Sequence, residues 1–463
     1  MALAEGNENR LVLQAPETPA SKSRYQIRGD LTFEGTQYQS SIPNNSKLDQ
    51  SLLTSVTFNP SYETENTLSV LDFTAGKYVG WGHSQYSVRE LYWDRAWNDQ
   101  KTHGSLGRKT ENWSEGDQIW NLGLWQPQQT FDGLRPEQQG LTGVFFKHRK
   151  DDVEFLVLAS PIFIPTMGPE VEENNGSLVS DSRWYRSPAD TFILRNRQRR
   201  IVYSLDVPNI TELVKKPGGA VHVSVGKQTK GLFATFAVGY KPINSLLVKY
   251  DKKLASSEEG EDTGVVPLIP VVAYHSLVSS DVGYQFDNLR LVASYLQDQP
   301  NDVIQPAEDP YILQRPASAR VYTLHADTHA EIFYFTNPVG LSLDYLRVDG
   351  GEYHDFDAQG HDQGAVFSQR FIFTHAAQMQ VEFRSQIFKQ QLLVSRFRYL
   401  REFDQRGMIG SAEVTYYPIK SMGLTLGADV LGVDDLSDSN ADKGFLNEFR
   451  ANDRTYAGIS YVF

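Results

Sequence analysis

The chain of 463 residues contains no cysteine. Disulfide frameworks and thiolate-held zinc or iron–sulfur centres are therefore excluded. No run of about 18 apolar residues occurs, so no transmembrane helix is expected. The longest apolar stretches, 155–165 and 265–274, are broken by Ser160, Pro161, Pro267 and Pro270. Positive charge is in deficit: 44 Lys and Arg against 57 Asp and Glu give a formal net charge of -13. A chain of that sign repels phosphate, so no nucleic-acid partner is expected. Aromatic content of 12% is too high for a disordered chain. Gly-x-Ser-x-Gly, Walker and His-Glu-x-x-His motifs are all missing, and neither enzymatic chemistry nor a cofactor is expected.

What is present is period-two alternation, the pattern of strands with two unlike faces. Tyr25, Ile27, Gly29, Leu31 and Phe33 alternate with Gln26, Arg28, Asp30, Thr32 and Glu34. Met379, Val381 and Phe383 alternate with Gln378, Gln380, Glu382 and Arg384. Leu424, Leu426, Ala428 and Val430 alternate with Thr425, Gly427 and Asp429. Short connectors carrying Pro or Gly are expected at 59–60, 240–244, 337–340 and 417–421. Long polar connectors are expected at 97–116, 165–190, 252–263, 299–317, 349–363 and 432–454. Tight turns at one end and long loops at the other are typical of a barrel through an outer membrane.

The physical reason is that lipid satisfies no backbone hydrogen bond. Strands can then span only as a closed barrel. A lipid-facing apolar stripe superposed on a polar lumen face yields an average composition that looks soluble, with mean hydropathy of -0.42. A soluble propeller would also alternate, but it needs repeats of about 40–50 residues, and none is seen. At roughly 26 residues per strand and connector, the chain makes about 16–18 strands, with 18 favoured. The expected fold is all-β: a single transmembrane antiparallel up-and-down barrel over 24–463, with short periplasmic turns and long extracellular loops. Residues 1–23 hold Glu5, Glu8 and Arg10 and no signal-peptide block, and a flexible N-terminal segment of a mature exported chain is expected.

The last residues place Ala457, Ile459, Tyr461 and Phe463 on one face, and Phe463 is the final residue. This resembles the C-terminal strand of bacterial outer-membrane β-barrel proteins, porin-like or polysaccharide-export-like channels among them. The resemblance implies an outer-membrane location and reading of Tyr461 and Phe463 by the barrel-assembly machinery. Outer-membrane lipid and lipopolysaccharide are the partners it implies.

Lumen and selectivity candidates are Arg28, Asp30, Arg290, Asp344, Arg370, Glu382, Arg384, Arg396, Arg398 and Glu413. Charges of both signs on a barrel wall can set up a transverse field, or can pair across strands and hold the wall. All seven Trp precede residue 185, and six lie from 81 to 125. Trp81, Trp93 and Trp97 fit an interfacial aromatic girdle. Trp113, Trp120 and Trp125 lie in a segment rich in Gln, Asp and Arg. Rings beside planar polar groups suit sugars, so these three are candidate sugar contacts on a loop folded into the lumen.

The cluster Glu352, His354, Asp355, Asp357, His361 and Asp362 matches no known ligand spacing, and the acidic stretch 434–442 departs from a calcium loop; no metal site is assigned. The expected function is a passive channel for polar solutes, with oligosaccharide or polysaccharide as cargo. Exopolysaccharide export beside a periplasmic partner is one variant. A plugged structural or adhesive barrel and an outer-membrane enzyme at the barrel rim are the alternatives.

Overall fold

The computed structural model describes residues 23–463, apart from 43–45, 99, 195, 227–228, 252, 257–261, 302–310, 332–336, 358, 363–369, 389–390 and 435–443. Residues 1–22, most of the expected N-terminal segment, lie outside the described residues, as do Asp435, Asp438, Asn440 and Asp442 of the acidic stretch.

Eighteen strands form one sheet. In chain order they are β1 (Ser23–Tyr38), β2 (Gln50–Thr64), β3 (Thr67–Val79), β4 (Ser84–Trp97), β5 (Thr102–Lys109) and β6 (Leu141–Lys150). Next come β7 (Val153–Ile162), β8 (Gly218–Gly226), β9 (Gly231–Pro242), β10 (Tyr274–Gln285), β11 (Leu289–Pro300) and β12 (Ala319–Ala330). The last six are β13 (Val339–Gly350), β14 (His375–Phe388), β15 (Gln391–Glu402), β16 (Gly407–Ile419), β17 (Met422–Val433) and β18 (Arg454–Val462). Each strand pairs antiparallel with its sequence neighbours, and β18 pairs with β1, so the sheet closes without an edge. Closure pairs every ladder, which is the condition for strands to cross lipid.

One face of each strand is apolar and exposed, and that face is the outside. Phe33, Leu91, Leu106, Phe236, Leu324, Phe397, Leu426 and Ile459 stand on it. The opposite face carries the polar partners into the lumen. Trp93 and Trp97 are exposed on the outer face, as the girdle reading expects. Trp81 departs from it: the ring is buried on Tyr78 and Tyr38, and its indole N–H donates to the Gln50 carbonyl at 2.8 Å.

The two rims differ. One has only short connections, 65–66, 98–101, 151–152, 227–230, 286–288, 331–338, 389–390 and 420–421, together with Phe463. The other carries 39–49, 80–83, 110–140, 163–217, 243–273, 301–318, 351–374, 403–406 and 434–453. Three sequence expectations shift. The expected loop 97–116 contains a turn and β5, because β5 (THGSLGRK) offers Leu106 as its one large apolar residue and so hardly alternates. Pro60 sits inside β2, opposite Ile27, where the pairing with β3 is interrupted. Residues 240–244 end β9 and open a long connector instead of making a tight turn.

Connectors at the long-loop rim build a second, seven-stranded sheet. Its strands are Thr191–Leu194, Arg197–Leu205, Leu247–Tyr250, Lys253–Ser256, Asp262–Val271, Ile312–Pro316 and Tyr353–Phe356. Its core holds Leu178, Tyr203, Tyr250 and Leu268. Below it, a larger apolar cluster joins wall and connectors. Phe145, Leu156, Leu277, Leu296, Leu346 and Leu400 come from the wall; Trp113, Trp125, Trp184, Phe371, Phe373 and Leu446 come from connectors.

Candidate functional site

The connector 110–140 leaves β5 and enters the lumen. Its short helix α1 (Glu115–Trp120) lies against the wall at β11 and β12. The approach is close because Gly116 has no side chain: a Cβ there would lie 2.7 Å from Thr323 Oγ1. Wall groups hold this end. Ser114 Oγ donates to Asp281 at 3.1 Å, and the Glu115 N–H donates to the same carboxylate at 3.2 Å. Ser279 Oγ donates to the Trp113 carbonyl at 3.0 Å. The segment also folds on itself. Asp117 accepts N–H groups of Leu124 and Trp125 at 3.0 and 2.9 Å, and Trp113 stacks on Trp125 at 5.3 Å.

The far end reaches β18 and β1. Arg454 donates to Asp132 at 2.7 Å and to Asp429 at 2.7 Å. Arg135 donates to both oxygens of Glu34, at 3.1 and 3.0 Å. Between the two ends, the wall carries its own polar chain. Arg290 bridges Glu115 at 2.7 Å and Asp327 at 3.9 Å. His325 sits between Asp327, at 2.8 Å, and Asp344. With a carboxylate at each ring nitrogen, it is the imidazolium form that satisfies both. Gln378 donates to Asp344 at 2.8 Å, and Arg398 donates to Gln378 at 3.0 Å. Register carries the path onward: Arg398 faces Ser411, and Ser411 faces Asp429. The inserted segment and the wall from β11 through β18 to β1 thus make one polar ring.

Water access divides the ring. Asp344, Gln378, Arg398, Asp429 and Arg454 are buried. Toward the short-turn rim lie partly exposed charges. Glu382 accepts from Arg384 at 2.6 Å and Arg396 at 2.8 Å. Arg396 lies 3.4 Å from Glu413, which also accepts from Tyr456 at 3.1 Å. Asp30 accepts from Thr32 at 2.6 Å, and Arg28 is exposed on the same face of β1.

An edge-free barrel with an apolar exterior, a charged interior and unequal rims leaves one architecture. This is a β-barrel of the outer-membrane type. No protein-family model matches the chain, and no curated protein matches its sequence. Among solved structures, the barrel is similar to OpdQ of Pseudomonas aeruginosa, at 8% identity and TM-score 0.46, over 96% of this chain and 99% of that one. It is similar to OmpF of Salmonella typhi in complex with daunomycin, at 10% identity and TM-score 0.41, covering 96% and 98%. It is similar to the trimer form of OmpT of Vibrio cholerae, at 8% identity and TM-score 0.41, covering 96% and 100%. The pairing of β18 with β1 is what closes the barrel.

Nine of the ten lumen candidates stand on strands with inward parity: Arg28, Asp30, Arg290, Asp344, Glu382, Arg384, Arg396, Arg398 and Glu413. Arg370 does not belong to the wall. It sits on connector 351–374 and pairs with the buried Asp298 of β11. The Trp segment does enter the lumen, but its rings turn inward: Trp113 and Trp125 are each 1% exposed, and Trp120 is buried with them. They are core of the inserted segment and offer no face to a sugar. His325, Asp327 and Arg454 are ring members outside the ten candidates. Arg454 was legible, because it shares parity with Tyr456 at the start of the last strand. Among the described residues, no three His, Asp or Glu converge on a metal site. In the His/Asp cluster, His354 pairs with Asp362 and His361 with Asp357, each at 3.1 Å. Tyr461 on β18 and Phe463 just past its end are both exposed.

Proposed function

We propose that the protein is a channel of the bacterial outer membrane that passes polar solutes and performs no chemistry. The long-loop rim then faces outward and the short-turn rim faces the periplasm. The observation that carries the reading is the group of partly exposed charges, Glu382, Arg384, Arg396 and Glu413, that faces the lumen on the short-turn side of the polar ring. Lining a lumen with hydrogen-bonding groups of both signs lowers the cost for a solute to shed water there. Cations and carboxylates alternate along the wall instead of segregating, so their fields cancel over short distances. That pattern supports uncharged, hydroxyl-rich cargo, an oligosaccharide above all. Glu382, Arg384, Arg396 and Glu413 are the groups proposed to meet it.

A second reading is a barrel closed by its own loops that binds partners outside. It is favoured by the apolar cluster that buries the wall at the long-loop rim. Planar-bilayer recording separates the two. The channel reading expects stable conductance steps with weak ion selectivity, blocked by added oligosaccharide. Absence of steps from a folded barrel would overturn it in favour of the second.

A further inference from the structure

Connector 163–217 starts between β7 and β8, yet residues 182–184 reach the opposite part of the rim. There the Arg183 side chain is 0% exposed. Nε donates to Asn452 Oδ1 at 3.1 Å. Nη1 donates to Asp49 at 3.2 Å and to the Leu48 carbonyl at 3.4 Å. Nη2 donates to the carbonyls of Ser40 at 2.8 Å and Ala451 at 2.5 Å. All five guanidinium donors are thereby used. The plane also lies 4.3 Å from the Tyr38 ring, and Asn452 Nδ2 donates back to the Arg183 carbonyl at 3.0 Å. One side chain therefore ties three connectors together: 39–49, 163–217 and 434–453.

The next residue sits on the ring. Trp184 lies against Gly133 of the inserted segment, where a Cβ would come within 2.7 Å of the indole. Arg454, which holds Asp132 and Asp429, lies under the same indole at 5.8 Å. Phe445 and Phe449 close the other side at 6.1 and 5.5 Å. Nothing in the ring itself requires a strap from β7–β8 to cross to this point. A buried guanidinium with every donor used is a strong hold that is broken only as a unit, since a part-withdrawn Arg leaves charged hydrogen bonds unmade.

We propose that Arg183 is the latch of an outer lid. Residues 182–184 close the extracellular mouth over the 132–135 end of the inserted segment. Withdrawal of Arg183 lifts the strap, with Trp184, off that end and widens the passage. The inference rests on the channel reading for its purpose, but the lid itself can be tested without current.

Because the chain has no cysteine, a single Ser182→Cys in the buried strap reports the lid through a membrane-impermeant maleimide. In the full-length folded barrel, Arg183→Ala should speed labelling roughly tenfold or more, the scale of losing charged hydrogen bonds. Arg183→Lys, which keeps charge without the fork, should fall between. Asn452→Ala removes one acceptor and the return bond to the Arg183 carbonyl but leaves the guanidinium its other four partners; it should give a smaller rise, and it serves if Arg183→Ala fails to fold. Larger conductance steps in Arg183→Ala complete the expectation. Unchanged labelling in folded Arg183→Ala and Asn452→Ala overturns the latch. Faster labelling with no current in either protein supports the lid and removes the channel.

Discussion

Gly29 lacks a side chain where the seam of the barrel needs space. Its N–H donates to the Phe463 carbonyl, and the Phe463 N–H donates back, both at 3.0 Å. A Cβ at this position would overlap the Phe463 ring. The terminal aromatic that marks the last strand is thus received by a specific vacancy on the first. Gly29→Val should push the ring off β1 and lower the fraction of barrel that closes, by several-fold in folded yield. Heat-modifiable gel migration checks this; a yield equal to wild type would show that the ring has another place to go. Charge pairing works at the same scale. Glu382→Gln with Glu413→Gln removes the carboxylates against which Arg384 and Arg396 lie. The lumen should then turn anion-selective, read as a shift of reversal potential in a salt gradient, and a shift toward cations would contradict the assigned pairing.

At the scale of elements, the inserted segment carries two carboxylates of opposite behaviour, Asp117 bonded within the segment and Asp132 bonded to the wall. Burial raises the Asp117 carboxyl to about 6, against the pull of the Leu124 and Trp125 N–H groups. Burial also opposes ionisation of Asp132, but Arg454 and Arg135 outweigh it and hold that carboxyl below the usual range. Asp117 binds its proton more tightly docked than free. Its contribution is complete below about pH 4 and is lost as pH rises through about 6. Asp132 contributes above about pH 4 and loses its contribution as pH falls through its lowered value. Docking should therefore be tightest near about pH 4 and loosen progressively up to about pH 7. Acrylamide quenching of tryptophan fluorescence should rise over that interval, and Asp117→Asn should flatten the rise. Equal profiles for wild type and variant would exclude Asp117 as the cause.

At the scale of the molecule, polarity is distributed in three layers. The exterior is apolar and exposed, the short-turn half of the lumen is charged and partly wet, and the long-loop end is filled by an apolar core. That core is unusual for a wall that otherwise alternates. It arises because inward positions near the long-loop rim, such as Leu296, Leu346 and Leu400, are apolar and meet Phe371, Phe373 and Leu446 from connectors. A barrel built this way should conduct less than its strand number suggests, because a ring this wide would otherwise enclose an aqueous passage. Conductance of the folded protein measures the difference.

The barrel is written in the alternation of its strands. Period two places lipid-facing and lumen-facing residues on alternate positions, so local order along each strand is enough to assign both faces, while chain length bounds the crossings only at about 16–18. Arg396, Arg398 and Glu413 could be read as lumen residues for that reason alone. Tertiary structure decided what fills the lumen. Connectors have no period, and the partners of Arg183, Arg370 and Trp113 lie far along the chain: Asn452, Asp298 and Ser279. No local pattern encodes such contacts. Trp113, Trp120 and Trp125 show the limit most clearly. Their chemistry suits a sugar or a core equally, and only the surrounding wall decides between them by excluding water from the rings.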